Sequence, residues 1–252
     1  MPDFRMFGEL AEELPPLPAD DDWTLRWNER NEAVRAVMGE TVEPGKAYSF
    51  SWKDYILPGA CALAYKQNDD TFLYMTLGLT QPLNATDPAY PWEFAVRAKE
   101  YCEWPVDLLY QLVSQWLWEK GELWFGCHLP LKFFIGHDGK MWPSIAGELV
   151  QHRRVVGTIR AAYLWTDVAR LRLKASSGEF GLLTAVGVTE DEDKLAMETT
   201  PAHLMLLLRR MGVSQACDPY RRSVLYLPSA SEEWDRIKAM SHDDAFDELE
   251  RV

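Results

Sequence analysis

The sequence predicts a single domain in which helices cover a β-sheet, and three observations carry that prediction. Residues 104–121, WPVDLLYQLVSQWLWEKG, hold both ends of a helix and a complete apolar face. Strand-like runs lie on either side of it, Trp92 to Lys99 before and Leu123 to Ile135 after, so the helix has a sheet to cover. Hydrophobic residues make up 47% of the 252, with 11 Trp, 10 Tyr and 10 Phe, which is ample for a core. In the helix, Pro105 suits the first position, where its missing N–H costs nothing, and Asp107 sits in the positive first turn. Lys120 and Gly121 supply the stop. Leu109, Leu112, Val113, Trp116 and Leu117 recur at helical spacing and form the stripe to be buried.

Taken in order, residues 1–22 contain Leu14-Pro15-Pro16-Leu17-Pro18 and the run Asp20 to Asp22, a composition that resists a packed core. A helix follows from about Trp23 to Met38, capped by Asp21 or Asp22 and stopped by Gly39, with Trp27, Val34 and Met38 on one side. Ala60 to Gln67 and Thr71 to Thr80 form a hairpin reversed at Asn68-Asp69-Asp70. Trp92, Phe94 and Val96 alternate with Glu93, Ala95 and Arg97, which predicts a strand with one buried face. After the central helix, Leu123 to Leu129 and Leu131 to Ile135 read as extended segments joined at Pro130.

Tyr163 to Thr166 and Leu171 to Lys174 read as short strands, and Phe180 to Val188 as a near-continuous central one. Thr189 to Asp193 leaves the sheet. Thr200-Pro201 opens a helix through Leu204, Leu207, Leu208 and Met211 that stops at Gly212. Val224 to Leu227 reads as a last strand, followed by a helix capped by Ser229 or Ser231 and further helix from Asp243 to Leu249.

The net charge of −13 is uneven. Residues 1–43 hold 11 acidic and 4 basic side chains, residues 231–252 hold 8 and 3, and the middle holds 20 and 19. The division is therefore an acidic arm and helix over 1–43, a body over 44–230 and an acidic helical tail over 231–252. Phosphate neutralisation needs an excess of Lys and Arg, so nucleic-acid binding is disfavoured. The acidic ends read as solvated helices or, in the sharper alternative, as attraction toward a basic partner. No apolar run of membrane length and no signal-peptide core is present, and Cys61, Cys102, Cys127 and Cys217 stand far apart with no CxxC pair. The expectation is a cytoplasmic chain with reduced thiols.

Catalytic motifs are missing. There is no HExxH, GxSxG or GxGxxG, and Gly136-His137-Asp138-Gly139-Lys140 lacks P-loop spacing and reads as a turn. The five histidines do not fall at zinc-ligand spacing with the cysteines, so neither metal nor cofactor is expected. Cys127 and His128 are adjacent, but consecutive strand side chains point to opposite faces. The aromatic cluster Trp116, Trp118, Trp124, Phe125, Phe133, Phe134 and Trp142 reads as core, with Trp118 the member expected at the surface as a partner anchor.

Several ordered segments resemble the Suppressor of Fused domain family. Phe72 to Gln81, FLYMTLGLTQ, is similar to its strand ending in a Gly-Leu-(Thr/Ser) step, and Trp92 to Arg97 to its Phe-Glu-(Leu/Phe) strand. Trp104-Pro105 with Leu108, Leu109 and Leu112 resembles its WP-initiated helix, and Gly126, His128, Pro130 and Leu131 its Gly-x-His…Pro-Leu element. Phe180-Gly181-Leu182-Leu183 with Val186-Gly187-Val188-Thr189-Glu190 resembles its FG…VGV-(T/C)-E strand, and Asp218 with Arg221-Arg222 its late Asp…Arg-Arg pair.

The resemblance spans about residues 60–227 in the same order. It implies an α+β single domain with a mixed, largely antiparallel β-sheet flanked by α-helices, and protein binding without catalysis. Animal members sequester a transcription factor between this domain and a second one. A chain ending near the terminal helix is expected to lack that second domain and to resemble the bacterial immunity proteins that neutralise polymorphic toxins. Cys127 stands where animal members carry a partner-contacting aspartate, which implies a different ligand. The candidate partner-binding residues are Gln115, Trp118, Leu123, Cys127, Glu232, Glu233 and Asp235. The competing readings are a hydrolase with a thiol or carboxylate site, and an assembly or chaperone module.

Overall fold

The computed structural model describes residues 21–43, 47–49, 61–80, 90–118, 123–130, 140–143, 149–151, 158–167, 170–175, 178–213 and 215–251. The Pro-rich arm before residue 21, the loop around 81–89 and the expected extended segment Leu131 to Ile135 lie outside them.

Strand β10 (Gly178–Thr189) is the axis of the sheet, as its unbroken β-rich sequence predicts. On one edge it pairs in parallel with β4 (Trp92–Ala98), and on the other it runs antiparallel to β8 (Ile159–Thr166) and then β9 (Arg172–Ala175). The path continues outward from β4 through β3 (Phe72–Leu77), β2 (Cys61–Lys66) and β1 (Tyr48–Ser49), and from β8 to β5 (His128–Pro130). Short β11 (Ala216–Cys217) adds to β4 in parallel at Arg97 and Ala98. The sheet is thus mixed and mostly antiparallel. A separate pair joins β6 (Lys140–Pro143) to β7 (Leu149–Gln151).

The expected hairpin forms between β2 and β3, with Asp70 at φ 60° in its turn. Asp69 Oδ1 accepts from the Thr71 N–H at 3.1 Å and the Thr71 hydroxyl at 2.6 Å, the local self-bonding that suits Asp to turns. Helix α1 (Asp21–Met38) ends at Gly39, whose φ of +77° is the left-handed stop. Helix α2 (Trp104–Trp118) lays Val106, Leu108, Leu109, Leu112 and Val113 on one face of the sheet, against Trp92, Phe94, Val96, Leu164, Leu183 and Ala185. The opposite face carries two further clusters. One sets Val34 of α1 with Leu73, Met75, Phe180 and Leu182. The other packs Tyr163, Trp165, Val186 and Val188 against four C-terminal helices, α3 (Glu190–Glu198), α4 (Pro201–Arg210), α5 (Ala230–Ile237) and α6 (His242–Glu250).

Three local expectations are corrected, and a fourth segment gains a definite structure. Strand β4 is buried on both faces and not on one, because α1 and its cluster cover the side that Glu93, Ala95 and Arg97 occupy. The Tyr163–Thr166 strand begins earlier, at Ile159. The acidic run that leaves the sheet after Thr189 does so as the first turn of α3, started by the reach of Glu192 Oε2 back to the Thr189 N–H at 2.9 Å. Val224–Tyr226 is a 3₁₀ turn and no strand, since the Val224 N–H is taken by Glu192 at 2.8 Å and the Leu225 N–H by the Ser223 hydroxyl at 3.2 Å.

The polar residues of β4 are buried with partners. The Glu93 carboxylate, fully buried, accepts from Thr76 Oγ1 at 2.6 Å, from the N–H groups of Gly78 and Thr80 at 3.0 Å each, and from Thr80 Oγ1 at 2.8 Å. Arg97 meets Asp167 in a two-pronged pair, both bonds 2.9 Å, and Thr184 donates to Asp167 at 2.8 Å.

Two tests follow. Leu112 is fully buried on the apolar stripe, so Leu112→Asp is expected to abolish cooperative unfolding by strand and helix signals alike; a soluble, cooperatively unfolding variant would show the stripe misplaced. Arg97→Met leaves the Asp167 charge buried without its cation and is expected to cost about 3–5 kcal/mol in urea denaturation, most of it restored in Arg97→Met/Asp167→Leu. A single variant no worse than the double would sink this account of the pair.

Candidate functional site

Residues 123–127 form a turn at the end of the core built by α2. Leu123 is buried and anchors the turn, and its carbonyl accepts from the Tyr90 hydroxyl. Cys127 N–H donates to the Trp124 carbonyl at 3.2 Å, and the Trp124 N–H points at Cys127 Sγ, 3.4 Å away. Gly126 takes φ +83°, and its N–H reaches the Leu164 carbonyl at 2.6 Å while the Leu164 N–H returns to the Cys127 carbonyl at 3.0 Å. A side chain at Gly126 would meet nothing within 4 Å, so its glycine is required by the left-handed backbone alone.

Held on both sides by β8, this turn presents Trp124 at 47% and Phe125 at 45% exposure. Each ring is supported from beneath. Trp124 lies 6.0 Å from Tyr90, itself 5.3 Å from Trp116. Phe125 lies 6.0 Å from Trp165 and 5.6 Å from Phe246. Burial, then the neighbouring Cys127, pushes the Tyr90 phenol up, which keeps it a neutral donor to the turn.

Beside the turn, His128 Nε2 stands 3.1 Å from Asp193 Oδ1, and the Tyr163 hydroxyl donates to the same oxygen at 2.8 Å. The three groups tie edge strand β5 to α3. The neighbouring Cys127 sulfur accepts from the Trp124 N–H, and the His128 ring is directed to Asp193. Asp193 is placed by the residue before it. Glu192 is fully buried and binds Arg221 with both oxygens, at 2.6 and 2.5 Å, and Arg221 also donates to the Gly187 carbonyl at 2.9 Å.

The sequence candidates fall into separate places. Leu123 is inside, where it positions the turn, and Cys127 is half-buried under the two exposed rings. Gln115 and Trp118 belong to α2, but their side chains lie outside the described residues. Glu232 and Asp235 are exposed on α5 and pair within it, to Arg236 and to Lys238. Glu233 is only 16% exposed and bridges to Arg210, an internal role. Trp124 and Phe125, read from sequence as core, are exposed. Among the described residues no helix is long and apolar enough to cross a membrane, and no group of three or more His, Cys, Asp or Glu is placed to hold a metal ion.

Two solved structures share this architecture. A SUFU (suppressor of fused protein) homologue from Neisseria gonorrhoeae matches with TM-score 0.58 at 11% identity, over 81% of this chain and 98% of its own. A chain of the Sufu–Fu complex matches with TM-score 0.58 at 13% identity, over 87% of this chain and 98% of its own. The chain has the suppressor of fused fold. No family model matches the sequence, and no curated protein matches it. The SUFU likeness is therefore one of architecture, reached at an identity where only the buried framework is held in common.

The Glu192 clamp has a pH signature. Burial pushes the Glu192 carboxyl up, but the hydrogen bonds and charge of Arg221, with the N–H groups of Thr189 and Val224, more than offset it and hold the carboxyl below its ordinary range. A folded-state value below the unfolded one contributes stability that is in force above about 4.3 and is lost as pH falls through the lower folded value. Urea midpoints are expected to fall steeply below about pH 4 in the native chain and less steeply in Glu192→Gln. Parallel profiles for the two would remove Glu192 from the account of acid lability.

Proposed function

We propose that this chain is a non-catalytic protein-binding domain, an immunity protein that neutralises a polymorphic toxin by sequestering it. The observation that carries the reading is the Trp124–Phe125 turn: two large rings, each about half-exposed, on a backbone pinned to β8 and packed edge-on against Tyr90 and Trp165. Aromatic anchors on a pre-ordered surface concentrate binding energy, since little freedom is lost when the partner arrives. That a chain of the same fold occurs in a Sufu–Fu complex supports protein binding as the use of the architecture. Gln115, Trp118 and Cys127 are further candidate contacts in this reading.

The net charge of −13, with Glu232 and Asp235 exposed, favours a basic partner, and a nuclease-type toxin must be basic to hold phosphates. The test is co-expression with the toxin domain encoded beside this chain, scored by growth and by co-purification. Protection and a stable complex are expected. Glu232→Gln/Asp235→Asn is expected to slow association several-fold at low salt and to flatten its salt dependence. Trp124→Ala is expected mainly to speed dissociation, by roughly tenfold or more. Failure to bind or protect, together with turnover of a metabolite by the purified chain, would sink the sequestering reading and promote a hydrolase.

A further inference from the structure

Helix α6, acidic and close to the end of the chain, is built into the aromatic turn. Its Phe246 ring lies 5.6 Å from Phe125 and 6.0 Å from Trp165, and Phe125 lies 6.0 Å from Trp165. Rings from three separate elements therefore pack against one another in one cluster. Trp165 is buried beneath, Phe246 is half-buried, and Phe125 is the exposed member. His242, 6.4 Å from Phe246, continues the cluster along α6.

The placement of α6 is fixed along its length. Ser241 caps it by accepting the Asp244 N–H at 3.1 Å, and Ala245 and Leu249 are buried in the cluster under α4. At its far end the Leu249 carbonyl accepts from both Arg170 and Arg209, at 3.0 Å each. That satisfies a helix-terminal carbonyl with cations of the sign the dipole favours.

Charge then distinguishes the two ends of the helix. HDDAFDELE carries five carboxylates and no lysine or arginine. Glu250 is met by Arg170 at 3.5 Å and Glu248 by Arg210, so the C-terminal end is neutralised from outside. Asp243 and Asp247 are exposed and have no ion pair among the described residues. Asp243 lies one turn before Phe246 on the same side of the helix, and Asp247 follows Phe246 directly.

An exposed aromatic cluster whose helix also carries unneutralised carboxylates fits a cation carried on an apolar stem. The charge sits over an exposed ring face within about 6 Å, the stem covers the ring edges, and the carboxylates steer it in. An anionic partner would be repelled, and a purely apolar one would leave the carboxylates without purpose. We propose that α6 and the Trp124–Phe125 turn form one composite surface that holds an arginine or lysine side chain from a basic segment of the protein partner. This rests on the reading of the turn as a binding surface and adds α6 to it, with the chemistry of what docks there.

The test titrates the full chain with a synthetic peptide of alternating arginine and glycine, and with the same peptide bearing glutamine for arginine, followed by tryptophan fluorescence and calorimetry. The arginine peptide is expected to bind and the glutamine peptide to bind at least roughly tenfold more weakly. Asp243→Asn/Asp247→Asn is expected to weaken arginine-peptide binding by roughly fivefold and to flatten its salt dependence. Phe246→Leu keeps apolar volume but removes the ring, and is expected to weaken it by roughly threefold or more with an unchanged urea midpoint. Glu179→Gln, on the β9–β10 hairpin where Glu179 pairs with Lys174, should leave it unchanged. Equal binding of the two peptides, indifference to the α6 variants, or equal loss in the Glu179 variant would each overturn the composite site. Toxin protection is scored separately: a toxin held undiminished by both α6 variants overturns this inference and leaves sequestration standing, while a toxin the native chain never binds overturns sequestration and leaves the peptide result to decide the site.

Discussion

The Arg97–Asp167 pair is the constraint around which the second face of the sheet is arranged. Even-numbered residues of β10 pass from one apolar cluster, Phe180 and Leu182, to another, Val186 and Val188, and Thr184 lies between them. There its hydroxyl meets Asp167, which is joined to Arg97 with almost no access to water. Desolvating two charges is costly, and the pair recovers that cost only because both prongs and the Thr184 hydroxyl are in place. A one-residue slip of β10 against β4 would turn Thr184 toward the apolar face under α2 and leave the carboxylate short of a donor. The pair therefore penalises wrong registers at the one parallel junction on which the order β3-β4-β10-β8 depends.

The segments that resemble the suppressor of fused pattern turn out to be polar fastenings of the same kind. The Gly78-Leu79-Thr80 step follows β3 because its N–H groups wrap the Glu93 carboxylate of the next strand. Gly187 leaves room for Cys217, since a Cβ there would stand 2.5 Å from its sulfur, and its carbonyl takes a hydrogen bond from Arg221. Asp218 receives Lys99 at 2.9 Å at the end of β4. Each of these short patterns carries a polar group that needs its partner and fastens the framework of the sheet, so the patterns report on the fold and say little about the ligand.

What was legible in the sequence follows the range of the interactions involved. The α2 stripe, the β2–β3 hairpin and the β10 run depend on periodicity and on turn chemistry a few residues long, and all three are found. The second buried face of β4 was not legible, because the partner that satisfies Arg97 is 70 residues away. Alternation with Glu93 and Arg97 looks the same whether the polar side meets water or a buried carboxylate. The exit from the sheet after Thr189 was legible, and the helix it opens was available in Thr189 and Glu192, three apart, but four consecutive acidic residues drew the reading away from it. At the candidate site, Trp124 and Phe125 were in view as aromatics, yet their exposure is decided by hydrogen bonds to Leu164 that no local pattern announces.

The same distinction governs the acidic ends. Counted from sequence, residues 231–252 carry a net −5 and look like a solvated tail. In the fold, Arg210 alone holds Glu233 and Glu248 together, and Arg170 and Arg209 close the end of α6. Those carboxylates are structural, and their attraction for a partner is already discharged within the chain. Among the described residues of the tail, Asp243 and Asp247 of α6 are left to act outward, so the steering field is local and directional where the total suggested a diffuse one. A basic segment drawn by Asp243 and Asp247 would arrive at rings that need no reordering to receive it, and the apolar contact would then determine how long it stays.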